Sequence, residues 1–558
     1  MGKTRWILLA IIVLASLLRL WRIDSYPNGF TPDEASFGYD AYSILKTGKD
    51  QWGQTLPLTF RSFGDFKAPL YTYLAIPTVA IFGLNEFAVR LPNAILGILG
   101  VLIVFLLVKE LFKEQKMALL SALLLAVSPW HMSLSRGAFE ANLTTLLLPL
   151  GIWLSLKGIK KPQFLMVAAV IFGLNLFSYH SAKLLTPLIV LMLLWWKRQE
   201  IKKTLSVKIA VGIFLLFLSI SFLSIFGGST SRAGDIAIFN PTGGWGAVAD
   251  RRYEAVQQGL PDITARIFSN KLVYITSEFI KNYFSYLSPI FLFTQGAGEW
   301  TYGMIPGMGA LYLFELPFIL VAIWAVIKKR DLTILLIVIW VLLAPIPAAL
   351  TKGPGFAANR AATMMPAIQI FSAFGAVTLF NWWRQNNKLT FWRFWLLGYW
   401  AIGLVGILFF LESYFYHAPI HGASSMLYGR KEAMDLVKKI EGDYKQVIIS
   451  RSLSEPHIYV AFYNQWDAGD YQKQSPDWLR YEKEGRSFLD QLGEYHLGKY
   501  IFRSINYQED QNLSGVLLVG QKGEFPEKIA TLHTVIYPDG KPAVLIVDPS
   551  KEKYAEDY

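Results

Sequence analysis

Leu91-Pro92-Asn93-Ala94-Ile95-Leu96-Gly97-Ile98-Leu99-Gly100-Val101-Leu102-Ile103-Val104-Phe105-Leu106-Leu107-Val108 runs directly into Lys109, Lys113 and Lys116. An uncharged run of this length can cross a bilayer, and a basic cluster at its end marks the cytoplasmic side. The apolar stretch before it, Leu70 to Leu84, is only ~15 residues long and is broken by Pro77. If both stretches crossed, the three lysines would lie outside. The earlier one is therefore expected as a juxtamembrane or re-entrant helix in the first outer loop.

Upstream, Lys3 and Arg5 precede the apolar run Trp6 to Leu20, which has no small-x-small cleavage site and reads as a retained first span going outward. Downstream, Met117 to Ser133 runs outward and Ala141 to Leu156 returns to Lys157, Lys160 and Lys161. Phe164 to Ser178 and Leu184 to Trp196 repeat the excursion, ending on Lys197, Arg198, Lys202 and Lys203. Val207 to Phe226 opens a long outer loop that closes near Gly307, and Met308 to Ile327 returns to Lys328-Lys329-Arg330. Leu332 to Leu350, Ala361 to Phe380 and Phe394 to Leu411 complete about eleven spans, with the N-terminus inside and the C-terminus outside.

Composition agrees with this count. A chain of 558 residues that is 53% hydrophobic and only 17% charged is a polytopic membrane protein. Many of the Lys and Arg residues behind its net charge of +12 fall in short clusters between apolar runs, so the charge reports orientation before a partner and calls for no nucleic acid. Without cysteine there is no disulfide, thiolate metal site or thiol nucleophile. From about residue 413 to 558 charge becomes frequent. Gln446 to Ser450, Lys499 to Phe502 and Gly515 to Val519 read as strands, Arg430 to Ile440 as a helix, and Pro538-Asp539-Gly540-Lys541 as a hairpin turn. This is expected to be an extra-cytoplasmic soluble α/β domain of roughly 140 residues, following a membrane domain over 1–412.

With that topology, the charged residues that are not orientation markers gather on the outer face: Asp33, Glu34, Asp65, Lys67, Arg136, Glu140, Lys183, Arg232, Lys352 and Arg360, with His180 beside them. Carboxylates among several cations at a membrane surface suit a substrate with a hydroxylated group, a phosphate and a lipid tail. Cations would hold the phosphate, and a carboxylate would take a proton from an attacking hydroxyl. Other readings stand beside these. Thr31-Pro32-Asp33-Glu34 also looks like a helix start, so either acid could serve as a cap. Lys67 and Arg136 could anchor helices at the interface, His180 reads first as an interfacial hydrogen-bonding residue, and Arg360 serves a phosphate or a helix end equally well. Asp33, Glu34 and Asp65 offer oxygen ligands for a divalent cation, although the chemistry requires none.

Pro32-Asp33-Glu34 with Tyr39, Phe66-Lys67-Ala68-Pro69-Leu70-Tyr71, Asn85-Glu86-Phe87-Ala88-Val89-Arg90-Leu91-Pro92 and Ser135-Arg136-Gly137-Ala138-Phe139-Glu140 together resemble the GT-C fold glycosyltransferases of the protein O-mannosyltransferase and aminoarabinose-transferase type, relatives of glycosyltransferase family 39. The resemblance runs over about residues 1–412 and is strongest over 1–150. It implies transfer of a sugar from a polyprenyl-phosphate carrier to a protein, lipid or glycan acceptor at the outer face of the cytoplasmic membrane, with inversion at the anomeric carbon. By match to the motif Asp33 would be the general base or the acceptor-orienting carboxylate, and Glu34 its neighbour in the same loop. Lys67 would hold the carrier phosphate and Arg360 would be a second phosphate ligand. Tyr39, Asp65, Arg136, Glu140 and His180 complete the expected substrate site. The family often carries Lys-Pro-Pro where this chain has Lys67-Ala68-Pro69. The competing classes are a transporter or flippase for an anionic or lipid-linked substrate, which would place its ionisable residues near the midplane, and a non-catalytic assembly scaffold.

Overall fold

A computed structural model describes residues 2–201, 204–224, 237–329, 331–352, 356–385 and 389–552. Arg232 lies outside these residues. The protein is a mostly helical multi-pass membrane protein. Six helices among the described residues are long and apolar enough to cross a bilayer: Glu86–Phe112, Glu140–Lys160, Leu205–Ser224, Leu332–Ala349, Ala362–Gln385 and Gly398–His421. Counting the pair Gln115–Val127 and Pro129–Arg136, bent by 55°, gives seven. The bend falls where Pro129 removes a backbone donor and Ser128 Oγ accepts the His131 N–H at 3.3 Å.

The expected count of about eleven is thus not reached by length and composition, and the shortfall has local causes. Gln163–Asn175, which falls in an expected span, and Leu70–Phe82, which is expected not to cross, are apolar helices of 13 residues each. At 1.5 Å per residue they extend about 20 Å, short of a ~30 Å hydrocarbon core. The run Met308 to Ile327 is helical only from Leu316, because Ala310 and Leu311 donate their N–H groups to the carbonyls of Phe291 and Leu292 instead.

By contact density the chain divides into two units: residues 1–18, 96–134 and 140–410, and residues 19–95, 135–139 and 411–558. The C-terminal part from Leu411 therefore shares a unit with the first loop, whereas the sequence expectation divides the chain once, at 412/413. The first unit is helical. Its long connection carries the helices Pro241–Gln257, Asp262–Phe268 and Lys271–Leu287.

The helix α1 (Gly2–Leu20) belongs to the first unit up to Leu18, and the second unit begins at its last turn, which leads into a loop and then α2 (Pro32–Thr47). The two-residue strands β1 (Phe60–Arg61) and β2 (Phe66–Lys67) pair antiparallel before α3 (Leu70–Phe82) and the first turns of α4 (Glu86–Phe112). Its C-terminal part forms a six-stranded mixed sheet from β3 (Gln446–Ile449), β4 (Tyr495–Leu497), β5 (Tyr500–Phe502), β6 (Val516–Gly520), β7 (His533–Ile536) and β8 (Pro542–Val547), in the order β4-β5-β3-β6-β8-β7. Strand β3 runs parallel to both neighbours, and Val447, Ile448 and Ile449 are all buried, as a central parallel strand requires. Strands β7 and β8 pair antiparallel across a turn in which Gly540 adopts φ +87° and Tyr537 N–H bonds Lys541 O at 2.8 Å.

Candidate active site

The site starts from the way α2 begins. Thr31 Oγ1 accepts the Glu34 N–H at 3.3 Å and Glu34 Oε2 accepts the Thr31 N–H at 3.1 Å, a reciprocal cap with Pro32 at the first helical position. Adjacent helical residues point about 100° apart, so the two acids part company. The Glu34 side chain is fully buried. Its Oε1 accepts from Arg90 Nε at 2.8 Å and from Ala138 N–H at 2.9 Å, and its Oε2 accepts from Arg90 Nη2 at 3.1 Å. Arg90 also donates to the carbonyls of Ile23 and Pro27 at 3.1 Å and of Gly29 at 2.5 Å. This bidentate knot ties the loop before α2 to the start of α4.

Asp33 points the other way, with its side chain 58% exposed. Its Oδ1 lies 2.9 Å from Lys67 Nζ, which also donates to Asp33 O at 3.2 Å. Lys67 is buried, with its ammonium 4.6 Å from the Phe37 ring centroid and 5.5 Å from that of Phe63. A lysine held this way is desolvated by aromatic faces, and its ammonium meets an exposed carboxylate. The β1–β2 turn presents it. Ser62 N–H bonds Asp65 O at 2.7 Å, Phe66 N–H bonds Asp65 Oδ1 at 2.7 Å, and Gly64 takes φ +129°. Asp65 therefore shapes the lysine loop.

The C-terminal part reaches the same loop. Leu489 N–H bonds Phe63 O at 3.1 Å, and a Cβ on Gly64 would collide with the Ser487 carbonyl. Phe63 also packs edge-on against His457, with centroids 5.2 Å apart. His457 is fully buried, its imidazole pushed down to about 3 by burial, and Nδ1 lies 3.0 Å from the Tyr495 hydroxyl. Tyr495 Oη donates to Asp490 Oδ1 at 3.0 Å, and Asp490 Oδ2 accepts the Glu455 N–H at 2.8 Å. Burial raises the carboxyls of both Asp490 and Glu455. The sequence offered no signal for Glu455, His457 or Asp490, since each is one polar residue in a charge-rich segment.

Of the other expected residues in this unit, Tyr39 is buried, donates to Trp466 O at 3.1 Å and packs on Tyr471. Arg136 lies over the Phe415 ring at 5.1 Å, and its Nη2 donates to Trp21 O at 2.7 Å and Tyr26 O at 3.2 Å. Among the described residues no three His, Asp or Glu side chains converge as cation ligands.

Glu140, His180, Lys183, Lys352 and Arg360 lie in the first unit. Arg360 Nη1 donates to Thr351 Oγ1 at 2.8 Å and Lys352 O at 3.1 Å, and Lys352 Nζ donates to Asn240 O at 2.9 Å. His180 begins the helix His180–Lys197 next to Tyr179, which feels the charges of Glu140, Glu299 and Arg360. Glu299, also unforeseen, accepts the Ala358 N–H at 3.1 Å. Burial pushes its carboxyl up to about 7, against the opposing pull of that N–H and of Arg360. Ala358 lines a cleft with Trp130, Ser133, Phe291 and Met304.

Residues 66–223 match the family model described as dolichyl-phosphate-mannose-protein mannosyltransferase. Over its full length the chain is similar in structure to ArnT from Cupriavidus metallidurans. The TM-score is 0.53 against the form bound to undecaprenyl phosphate and 0.52 against the apo form, at 12% identity over 98% of each chain. The fold is that of the GT-C glycosyltransferases. Within this GT-C fold lies a glycosyltransferase family 39-like segment that contains Lys67. The chain is also 26% identical over 226 residues to YkcB of Bacillus subtilis (strain 168), named as a mannosyltransferase, and the match spans 39% of this chain and 30% of that relative.

Proposed function

We propose that this GT-C protein is a membrane glycosyltransferase that moves a sugar from a polyprenyl-phosphate-linked donor to an acceptor hydroxyl at the outer face of the cytoplasmic membrane. The observation that carries this reading is the Asp33–Lys67 pair, a buried ammonium 2.9 Å from a half-exposed carboxylate. The match to a fold whose ArnT representative was solved with undecaprenyl phosphate supports it. In this reading the acceptor oxygen attacks the anomeric carbon, its proton passes to the Asp33 carboxylate, and the bond from that carbon to the phosphate oxygen breaks. Polyprenyl phosphate leaves as an anion held by Lys67, which makes protonation of the leaving group unnecessary. One direct displacement inverts the anomeric configuration and needs no paired glycosidase-type acids. Glu34, locked to Arg90, holds Asp33 in place, and Asp65 and Tyr39 hold the loop and helix that present the pair. The N-terminus would be cytoplasmic, and residues 413–558 a soluble, extra-cytoplasmic part.

The test is transfer of labelled sugar from a polyprenyl-phosphate sugar by the full chain in nanodiscs, with Asp33→Asn as the control. Product formation abolished by that change is expected. Wild-type rates in Asp33→Asn would remove the base assignment, and flux across proteoliposomes without covalent product would favour a transporter.

A further inference from the structure

The second unit holds a buried carboxyl, Glu455, that the transfer chemistry above leaves unused. Glu455 is 9% exposed, and its Oε2 has no hydrogen-bond partner. The nearest basic atom, His457 Nδ1, is 3.8 Å away, beyond hydrogen-bond range. The backbone is bent to keep the carboxyl there: Ser454 and Glu455 take φ +58° and +50°, a left-handed conformation that side chains with a Cβ resist. Pro456 then starts the helix Pro456–Tyr463, and the Glu455 N–H is pinned to Asp490. An unsatisfied buried group on a strained backbone stabilises nothing in the fold itself, which points to a ligand.

The charges of both Asp33 and Lys67 act on this carboxyl. The other groups facing it are Asp490, His457, Tyr459, Tyr471 and Tyr495. Burial first, then Asp490 and Asp33, hold its proton well above the usual carboxyl range. A neutral acid donates a hydrogen bond, whereas a carboxylate would repel an anion arriving at Lys67.

We propose that Glu455 is a hydrogen-bond donor to the phosphate group held at Lys67, so that the C-terminal part of the chain completes the donor-binding site. This rests on Lys67 as the phosphate ligand. The phosphate could be a lipid headgroup or free phosphate, and the two probes below separate them.

Binding is measured on the full chain in nanodiscs with undecaprenyl phosphate and, separately, with inorganic phosphate. The window is roughly pH 7.5 to 9.5, where a phosphate monoester stays dianionic. Wild-type affinity for undecaprenyl phosphate is expected to fall as pH rises. Glu455→Gln, a permanent donor, should bind within about threefold of wild type at the lower pH and lose less affinity as pH rises. Glu455→Ala should bind about tenfold or more weakly throughout. His457 is already neutral in this window, so Asp490→Asn is the control that assigns the limb to Glu455. Equal pH slopes in wild type and Glu455→Gln would overturn the proposal, as would a slope lost in Asp490→Asn but kept in Glu455→Gln. If Glu455→Ala does not fold, the slope comparison decides alone. Inorganic phosphate reproducing the full effect would overturn the lipid-linked assignment of the ligand. Unchanged lipid binding in Lys67→Ala would overturn the phosphate reading itself. Loss in Lys67→Ala with no effect of either Glu455 change would overturn only the role of Glu455.

Discussion

The Glu34–Arg90 knot and the Asp33–Lys67 pair begin at neighbouring residues, yet both partners of the first are fully buried and Asp33 of the second is 58% exposed. In the knot every lone pair and N–H is spent on the protein: Arg90 forks onto the carboxylate and three carbonyls, and Glu34 also takes the Ala138 N–H. In the other pair the cation is enclosed by Phe37 and Phe63, and its carboxylate faces outward. The comparison teaches that burial of both partners yields scaffold, whereas burial of one leaves the other able to accept a proton.

The largest effect that could break this comparison is on chemistry. Asp33→Asn is expected to lower sugar transfer by about 10²–10⁴-fold while leaving the thermal unfolding temperature near wild type, because the side chain is half-exposed. A large drop in stability would put Asp33 with the scaffold. Arg90→Ala should act in the opposite way. Leaving Glu34 buried and unpaired costs about 3–5 kcal/mol, which is seen as lost yield and a lower unfolding temperature. A stable, inactive Arg90→Ala protein would move the knot into the chemistry.

A smaller effect tests the loop that carries Lys67. Gly64→Ala places a Cβ at φ +129° against the Ser487 carbonyl. It should destabilise by about 1–3 kcal/mol and weaken undecaprenyl-phosphate binding, both read on the same nanodisc sample. Wild-type binding would mean that the lysine loop does not depend on its seat against residues 487–489.

The last expected effect is a pH dependence in the first unit. Glu299 keeps its proton up to about 7 when folded, whereas an unfolded glutamate loses it near ~4.3. The folded state thus binds the extra proton between these values. Its stability falls as pH rises through that window and is level above it. Glu299→Gln should therefore gain in unfolding temperature over wild type from about pH 4.5 to 7, and a constant difference across that range would contradict the assignment.

Much of the local design was legible along the chain. Thr31-Pro32-Asp33-Glu34 reads as a helix start because a cap needs only four consecutive residues. The short apolar run marks Leu70–Phe82 as too short to span, although the helix continues through Pro77 where the sequence suggests a break. The apolar runs at Gln446–Ile449, Tyr500–Phe502 and Val516–Gly520 are strands where their composition places them. The number of spans was less legible, because hydropathy does not register where a run such as Met308 to Leu316 gives its N–H groups to a distant loop.

By itself the sequence determined the membrane class, the helix start that bears the two acids, and the loop that bears Lys67, since each follows from local pattern. Only the tertiary structure decided which acid faces outward and which is locked to Arg90, and only it brought Glu455, His457 and Asp490 into the unit that holds Lys67. Burial, charge and hydrogen-bond partners at those positions are supplied by segments tens to hundreds of residues away, and no local pattern encodes them.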